Sequence, residues 1–179
     1  AQSLLAVLNA EILLSNQAKT PEREEHISAI IGQIDAAYEL LDLLDTTDTI
    51  LYGGTAYTVR ASTLDNIALA RDMLRSAGAD LTTEQIQSTY YDALDIATAD
   101  QKAVNHEYQI RYHLADHLLR ADAEAFRSEI VTILDPLASV SPNNYLAHNI
   151  RNRLESSAPM DSTTADRPLS AATVSHLTD

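Results

Sequence analysis

From Ile27 to Leu44 the apolar residues Ile27, Ile30, Ile31, Ile34, Tyr38, Leu41 and Leu44 recur at intervals of three and four. A run of this length suits only an α-helix, which returns to one face every 3.6 residues, and it commits the chain to burying helical stripes against one another. The same spacing recurs along the sequence, which holds only four glycines and five prolines among 179 residues. A mainly α fold follows. It should be a bundle of six or seven helices, because a chain of this size can bury roughly 70% of its unfolded surface in one core.

Start and stop signals divide the bundle. An opening helix over 2–18 reads as amphipathic. Thr20-Pro21, followed by Glu22, Glu24 and Glu25, opens a helix over 21–45, with a hydroxyl before a first-turn proline and acids near the positive helix end. The period then changes. Ile50 and Tyr52 precede Gly53-Gly54, and Ala56, Tyr57 and Val59 follow, which predicts a β-hairpin near 49–59. Ser62-Thr63-Leu64-Asp65 reads as a capping box for a helix over 63–77 stopped by Gly78, and Thr82-Thr83-Glu84-Gln85 opens the next. A segment over 101–120 continues the pattern and could run on from its predecessor. Phe126 to Leu137 forms another helix limited by Asp135-Pro136, and Ser141-Pro142 restarts the chain for Leu146, Ile150 and Leu154. Residues 1–155 thus form a helical domain with an inserted hairpin. Residues 156–179, rich in Ser, Thr, Ala, Asp and Pro, read as an extended low-complexity tail that cannot fold alone.

Charge excludes whole classes of function. Twenty-six acidic residues against twelve basic ones give a formal charge of −14, so the chain should not coat nucleic acid or anionic lipid. Only Lys19 and Lys102 are lysines and aspartate outnumbers glutamate, which fits either a halophilic surface, whose charges 1 M salt would screen to about 3 Å, or an ordinary acidic mesophile protein. No cysteine is present. The opening AQSLLAVLNAEILL lacks a basic leader and is interrupted by Asn9 and Glu11, so neither a signal peptide nor a membrane span is expected. The start at Ala1 fits loss of an initiator methionine and equally cleavage of a leader; an intracellular origin is the expectation.

Three histidines form the one candidate metal or haem stripe. His106, His113 and His117 stand seven and four residues apart, so they share a helix face, and HxxxH spacing suits a metal. Glu107 and Asp116 are turned about a quarter-turn away, no second ligand-bearing helix is evident, and a polar or interfacial face is the expected setting. No metal or cofactor is assigned. Paired carboxylates such as Glu24-Glu25 and Asp42 with Asp45 are too common here to mark an acid and base. Gly53-Gly54 lacks the flanking pattern of a phosphate loop, and no GxSxG elbow occurs, so an enzyme is not expected. The tyrosines, Tyr52 and Tyr57 in the hairpin with Tyr90, Tyr91 and Tyr108 later, suit core packing or a protein interface.

The stretch HISAIIGQIDAAYELLDLLDTTDTILYGGTAYTVRASTLDNIALARDML, about residues 26–75, resembles the W-type head-to-tail joining proteins of tailed viruses: an amphipathic helix, a short hairpin, and a Ser/Thr-rich cap into another helix. This chain departs from the pattern in its long helical C-terminal half and in its acidity. The resemblance implies a head-completion or adaptor subunit that forms a ring under the portal, extends the DNA channel and offers the tail a platform. Duplex DNA would pass an acidic wall without binding. Tyr52, Gly53, Gly54 and Tyr57 would then contact an adjacent subunit, and Pro168, Leu169 and Leu177 in the tail would order against the portal. Portal and tail-completion proteins are the implied partners, and the virion, assembled in the host cytoplasm, the implied location. The rival readings are a soluble, cytoplasmic helical regulatory or ligand-sensing module and a histidine-based metal or haem bundle.

Overall fold

A computed structural model describes residues 2–15, 21–45, 48–52, 55–99, 104–140 and 145–157. Its elements run α1 (Gln2–Ser15), α2 (Pro21–Leu41), β1 (Thr49–Tyr52), β2 (Thr55–Thr58), α3 (Val59–Ser76), α4 (Thr83–Ala99), α5 (Val104–Asp122), α6 (Arg127–Val140) and α7 (Tyr145–Ser156). Seven helices and one antiparallel hairpin match the expected class. In the hairpin Ile50 faces Tyr57 and Tyr52 faces Thr55.

Neighbours in sequence pack on one another. α1 lies on α2 and α3, α3 on α4, α4 on α5, and α5 on α6 and α7, with β2 also against α5. The buried stripes of these helices meet in one core containing Ile34, Ile67, Leu74, Ile86, Leu114, Leu118, Ile130 and Ile150. Two of the expected boundaries close as their residue types require. Thr82 Oγ1 accepts from the Gln85 amide at 3.2 Å, and Gln85 Oε1 accepts from the Thr82 amide at 3.0 Å, a reciprocal cap at the start of α4. At the end of α3 Gly78 adopts φ +98°, and the amides of Gly78 and Ala79 return to the carbonyls of Arg75 and Leu74. A glycine is needed there because a Cβ is strained at positive φ.

Other boundaries differ. α2 ends at Leu41, not Asp45, because Leu43 and Leu44 bond three residues back and Arg60 Nη1 donates to the carbonyls of Leu41 and Leu44, a cation at the negative helix end. α3 starts at Val59, ahead of the expected capping box. The Val59 amide bonds the Asp48 carbonyl at 2.8 Å, so the hairpin feeds straight into the helix. Thr63 Oγ1 then turns back to the Val59 carbonyl and Asp65 turns inward, which leaves neither as a cap. α4 and α5 are separate helices packed on each other rather than one continuous run. Pro136 lies inside α6 and does not end it. It cannot donate to the Thr132 carbonyl, but Ile133, Leu134 and Leu137 are buried around it and offset the lost bond. α7 carries the helical part to Ser156; the rest of the expected tail, 158–179, lies outside the described residues.

Candidate functional site

Two regions carry the candidate chemistry, and the first is the seam between α3 and α5. α3 buries Ala61, Asp65, Ala68 and Asp72 along one stripe, at intervals of four, three and four. The two carboxylates meet the histidines of α5: His113 Nδ1 lies 2.9 Å from Asp65 Oδ1, and His117 Nδ1 lies 2.8 Å from Asp72 Oδ1. Both pairs advance in the same chain direction, so α3 and α5 run parallel, with seven residues between the aspartates and four between the histidines. Arg120, one turn beyond His117, donates to Asp72 and, through Nε at 2.9 Å, to Asp116. Asp116 also accepts from Arg153 of α7 at 2.6 Å, tying that helix to the seam.

The electrostatics follow from burial set against pairing. Burial pushes the Asp72 carboxyl up, but the hydrogen bond from His117 and the charge of Arg120 outweigh it and hold the group below its ordinary value. Burial pulls His113 down, yet its bond to Asp65 and that carboxylate's charge raise it above the ordinary histidine value. His106 has no such carboxylate bond, and burial lowers it. Its ring rests against Tyr57 with centroids 4.9 Å apart. Beside His117 the Tyr90 ring lies 5.8 Å away, and burial followed by the charges of Asp65 and Asp72 raises its hydroxyl well above the usual range. On the far side of α4, Tyr91 and Gln87 both donate to Glu129 of α6, and burial with that bond pushes Tyr91 up to about 12.

The histidines therefore do not lie on a polar or interfacial face as expected. His117 is buried and His113 nearly so, against partnering acids from α3 that lie 45 and 48 residues earlier in the chain, and His106 is buried beside Tyr57 without an acid partner among the described residues. A carboxylate on Nδ1 fixes the tautomer that leaves Nε2 free to ligate, as in carboxylate–histidine–metal sites. Yet among the described residues no three of His, Asp and Glu converge as a metal site. Glu107 pairs with Arg111 at 2.7 Å instead. The arrangement is a buried, charge-compensated fastening between helices.

The second region is surface. α1 was expected to be amphipathic, and its faces are inverted: it packs Ser3, Ala6, Val7, Ala10 and Leu13 inward and leaves Leu4, Leu5, Leu8 and Ile12 outward, Ile12 at 58% exposure. Small residues let α1 approach α2 and α3 closely, and the larger ones remain for another surface. Glu11 is its only charged residue. Other exposed aliphatics are Leu43, at 79% in the turn after α2, and Ile50 and Leu51 of β1, Leu51 at 80%, which as successive strand residues point to opposite faces of the hairpin.

No protein-family model, curated protein or solved structure matches this chain.

The expected interaction residues divide accordingly. Tyr57 is half-buried on His106 rather than presented outward. Tyr52 belongs to β1, but its side chain lies outside the described residues, as do Gly53, Gly54, Pro168, Leu169 and Leu177. The apolar residues Ile50 and Leu51 are the exposed members of the hairpin that the emphasis on tyrosine passed over. Their visible signal is two adjacent large aliphatics on a two-stranded hairpin, of which one sheet face at most can be covered. A cleft of about 510 Å³ between α5 and α7 is lined by Leu119, Ala123, Asn149, Asn152 and Arg153, and is open rather than enclosed. Among the described residues no helix is long and apolar enough to cross a membrane.

Proposed function

We propose that this chain is a non-enzymatic assembly subunit, most concretely a head-tail connector of a tailed virus that forms a ring under the portal, extends the DNA channel and provides the tail platform. The observation that carries this reading is the large apolar surface left on so acidic a chain: Leu4, Leu5, Leu8 and Ile12 on α1, and Leu43, Ile50 and Leu51 in the turn after α2 and in β1. Exposed aliphatic groups clustered as on α1 mark contact sites. Exposed aliphatics on different elements suit a ring component, which needs one surface for the next copy and one for whatever stacks on the ring.

The remaining features support it. A formal charge of −14 opposes the counterion-release attraction by which basic surfaces hold DNA, so duplex would slide past rather than stick. In the α3–α5 seam Asp65 and Asp72 are paired with His113 and His117 and join two helices, which suits a structural role. An acid-rich surface tolerates high salt, consistent with a halophilic host.

Native mass spectrometry and negative-stain imaging of the purified chain, alone and with portal protein, test the proposal. A symmetric ring with a central hole wide enough for duplex DNA is expected. A chain that stays monomeric at every salt concentration and ignores portal would refute it.

A further inference from the structure

From the outer face of α1, we infer that the occupant of this surface is the C-terminal segment 167–177 of a neighbouring copy, so that the chain assembles head to tail. The inference deepens the ring reading and rests on it for closure. It begins from the placement of two ends. α1 packs chiefly on α2 and α3, while α7, from which the C-terminal segment departs, packs chiefly on α5 and α6. A contact from the end of one copy to the beginning of the next is heterologous, and a heterologous contact whose rotation closes makes a ring. Self-pairing of α1 would be isologous and stop at two copies.

Chemistry selects the segment. α1 offers Leu4, Leu5, Leu8 and Ile12 and no cation, and the exposed groups on α1 and α2 include Glu11, Glu24, Glu25, Asp35 and Glu39. A second acidic surface would be repelled from it. RPLSAATVSHL, residues 167–177, is the opposite: it holds Leu169, Val174 and Leu177 and its only formal charge is Arg167. Leu169, Val174 and Leu177 thus give the segment three aliphatic groups to set against the exposed Leu4, Leu5, Leu8 and Ile12 of α1. Reach is sufficient, since the twelve residues from Ser157 to Leu169 span up to roughly 40 Å when extended. Ordering that stretch costs entropy, which apolar burial on α1 offsets.

Full-length Leu8→Asp/Ile12→Asp and full-length Leu169→Asp/Leu177→Asp, checked for unchanged helical content, test the inference by native mass spectrometry. Each alone should lose the oligomer of the unaltered chain. An equimolar mixture should regain a species of two chains, one of each kind, because one intact α1 face then meets one intact tail and the chain of contacts ends there. A tail variant that assembles normally while the α1 variant does not would overturn the inference in favour of self-pairing by α1. A tail variant that still forms rings but no longer binds portal would overturn it in favour of a portal contact. If both variants keep the mass of a monomeric parent and hydrogen exchange on α1 rises in both, the tail folds back on its own chain and the inference fails. Complementation that yields open filaments in the unaltered chain, without rings, would keep the inference and remove the connector reading.

Discussion

The α3–α5 seam and the outer face of α1 treat the same problem in opposite ways. In the seam, four ionisable side chains that water would normally hold, Asp65, Asp72, His113 and His117, are drawn inside and compensated by one another. On α1, four aliphatic side chains that water rejects are left outside, and small residues occupy the interior positions. The first region meets most of its cost within the chain, although His117 Nε2 and the neighbouring Tyr90 hydroxyl are buried without a hydrogen-bond partner among the described residues. The second leaves its cost in solvent, and in the proposed assembly that is the surface a partner would cover.

Removing one member of the seam should produce the largest effect. Asp72→Leu leaves Arg120 and His117 without their shared carboxylate and should lower stability by about 3–5 kcal/mol in denaturant unfolding. Asp72→Leu/His117→Leu should recover most of that loss, since an apolar pair needs no compensation; equal damage in both variants would show that packing volume, not pairing, matters there. Asp65→Asn should cost less, about 1 kcal/mol, because the amide oxygen still accepts from His113 and the pair is nearer to solvent.

The pH profile sharpens the contrast further. His113 is raised in the folded state, so its contribution is full below 6.5, the value for an unfolded histidine, and is lost as pH rises through the folded value. His106 is lowered, so the unfolded chain takes up its proton first and stability falls as pH drops below 6.5. Between them these histidines place a stability maximum near pH 6.5. Thermal melts of His113→Gln should flatten the alkaline side and those of His106→Gln the acid side; identical profiles in both variants would break the assignment. The smallest stability change belongs to α1. Leu8→Asp/Ile12→Asp should alter unfolding free energy by no more than about 0.5 kcal/mol at each position, as expected of exposed sites, and a loss several times larger would mean that the face is part of the core.

What could be read from the sequence was what nearby residues decide. The Thr82–Gln85 cap, the Gly78 stop and the stripes of α2, α4 and α7 depend on groups within a few positions of one another, and all are present, except that Ile31 and Leu146, expected within those stripes, are exposed and Ala147 is buried in the place of Leu146. The start of α3 could not be read, because the Asp48 carbonyl and the turned Thr63 compete with a local capping pattern that looks complete in isolation. Pro136 misled for a related reason: packing around Leu134 and Leu137 outweighs one missing backbone bond. At the candidate site the histidine stripe was visible, but its partners were not, since Asp65 and Asp72 look like solvated acids in a chain with twenty-six of them. Their only local mark was position, on the stripe that also buries Ala61 and Ala68.

One property of the seam reaches beyond stability. Seven residues of α3 rise about 10.5 Å and four of α5 about 6 Å, yet both acid–histidine pairs close at once. Sliding α5 by one turn would part both pairs, and only a slide of about two turns, which sets His106 and His113 against the same two aspartates seven residues apart, would restore them. Within the chain, two carboxylates and two imidazoles thereby act as a stop against one-turn shear of α5 along α3.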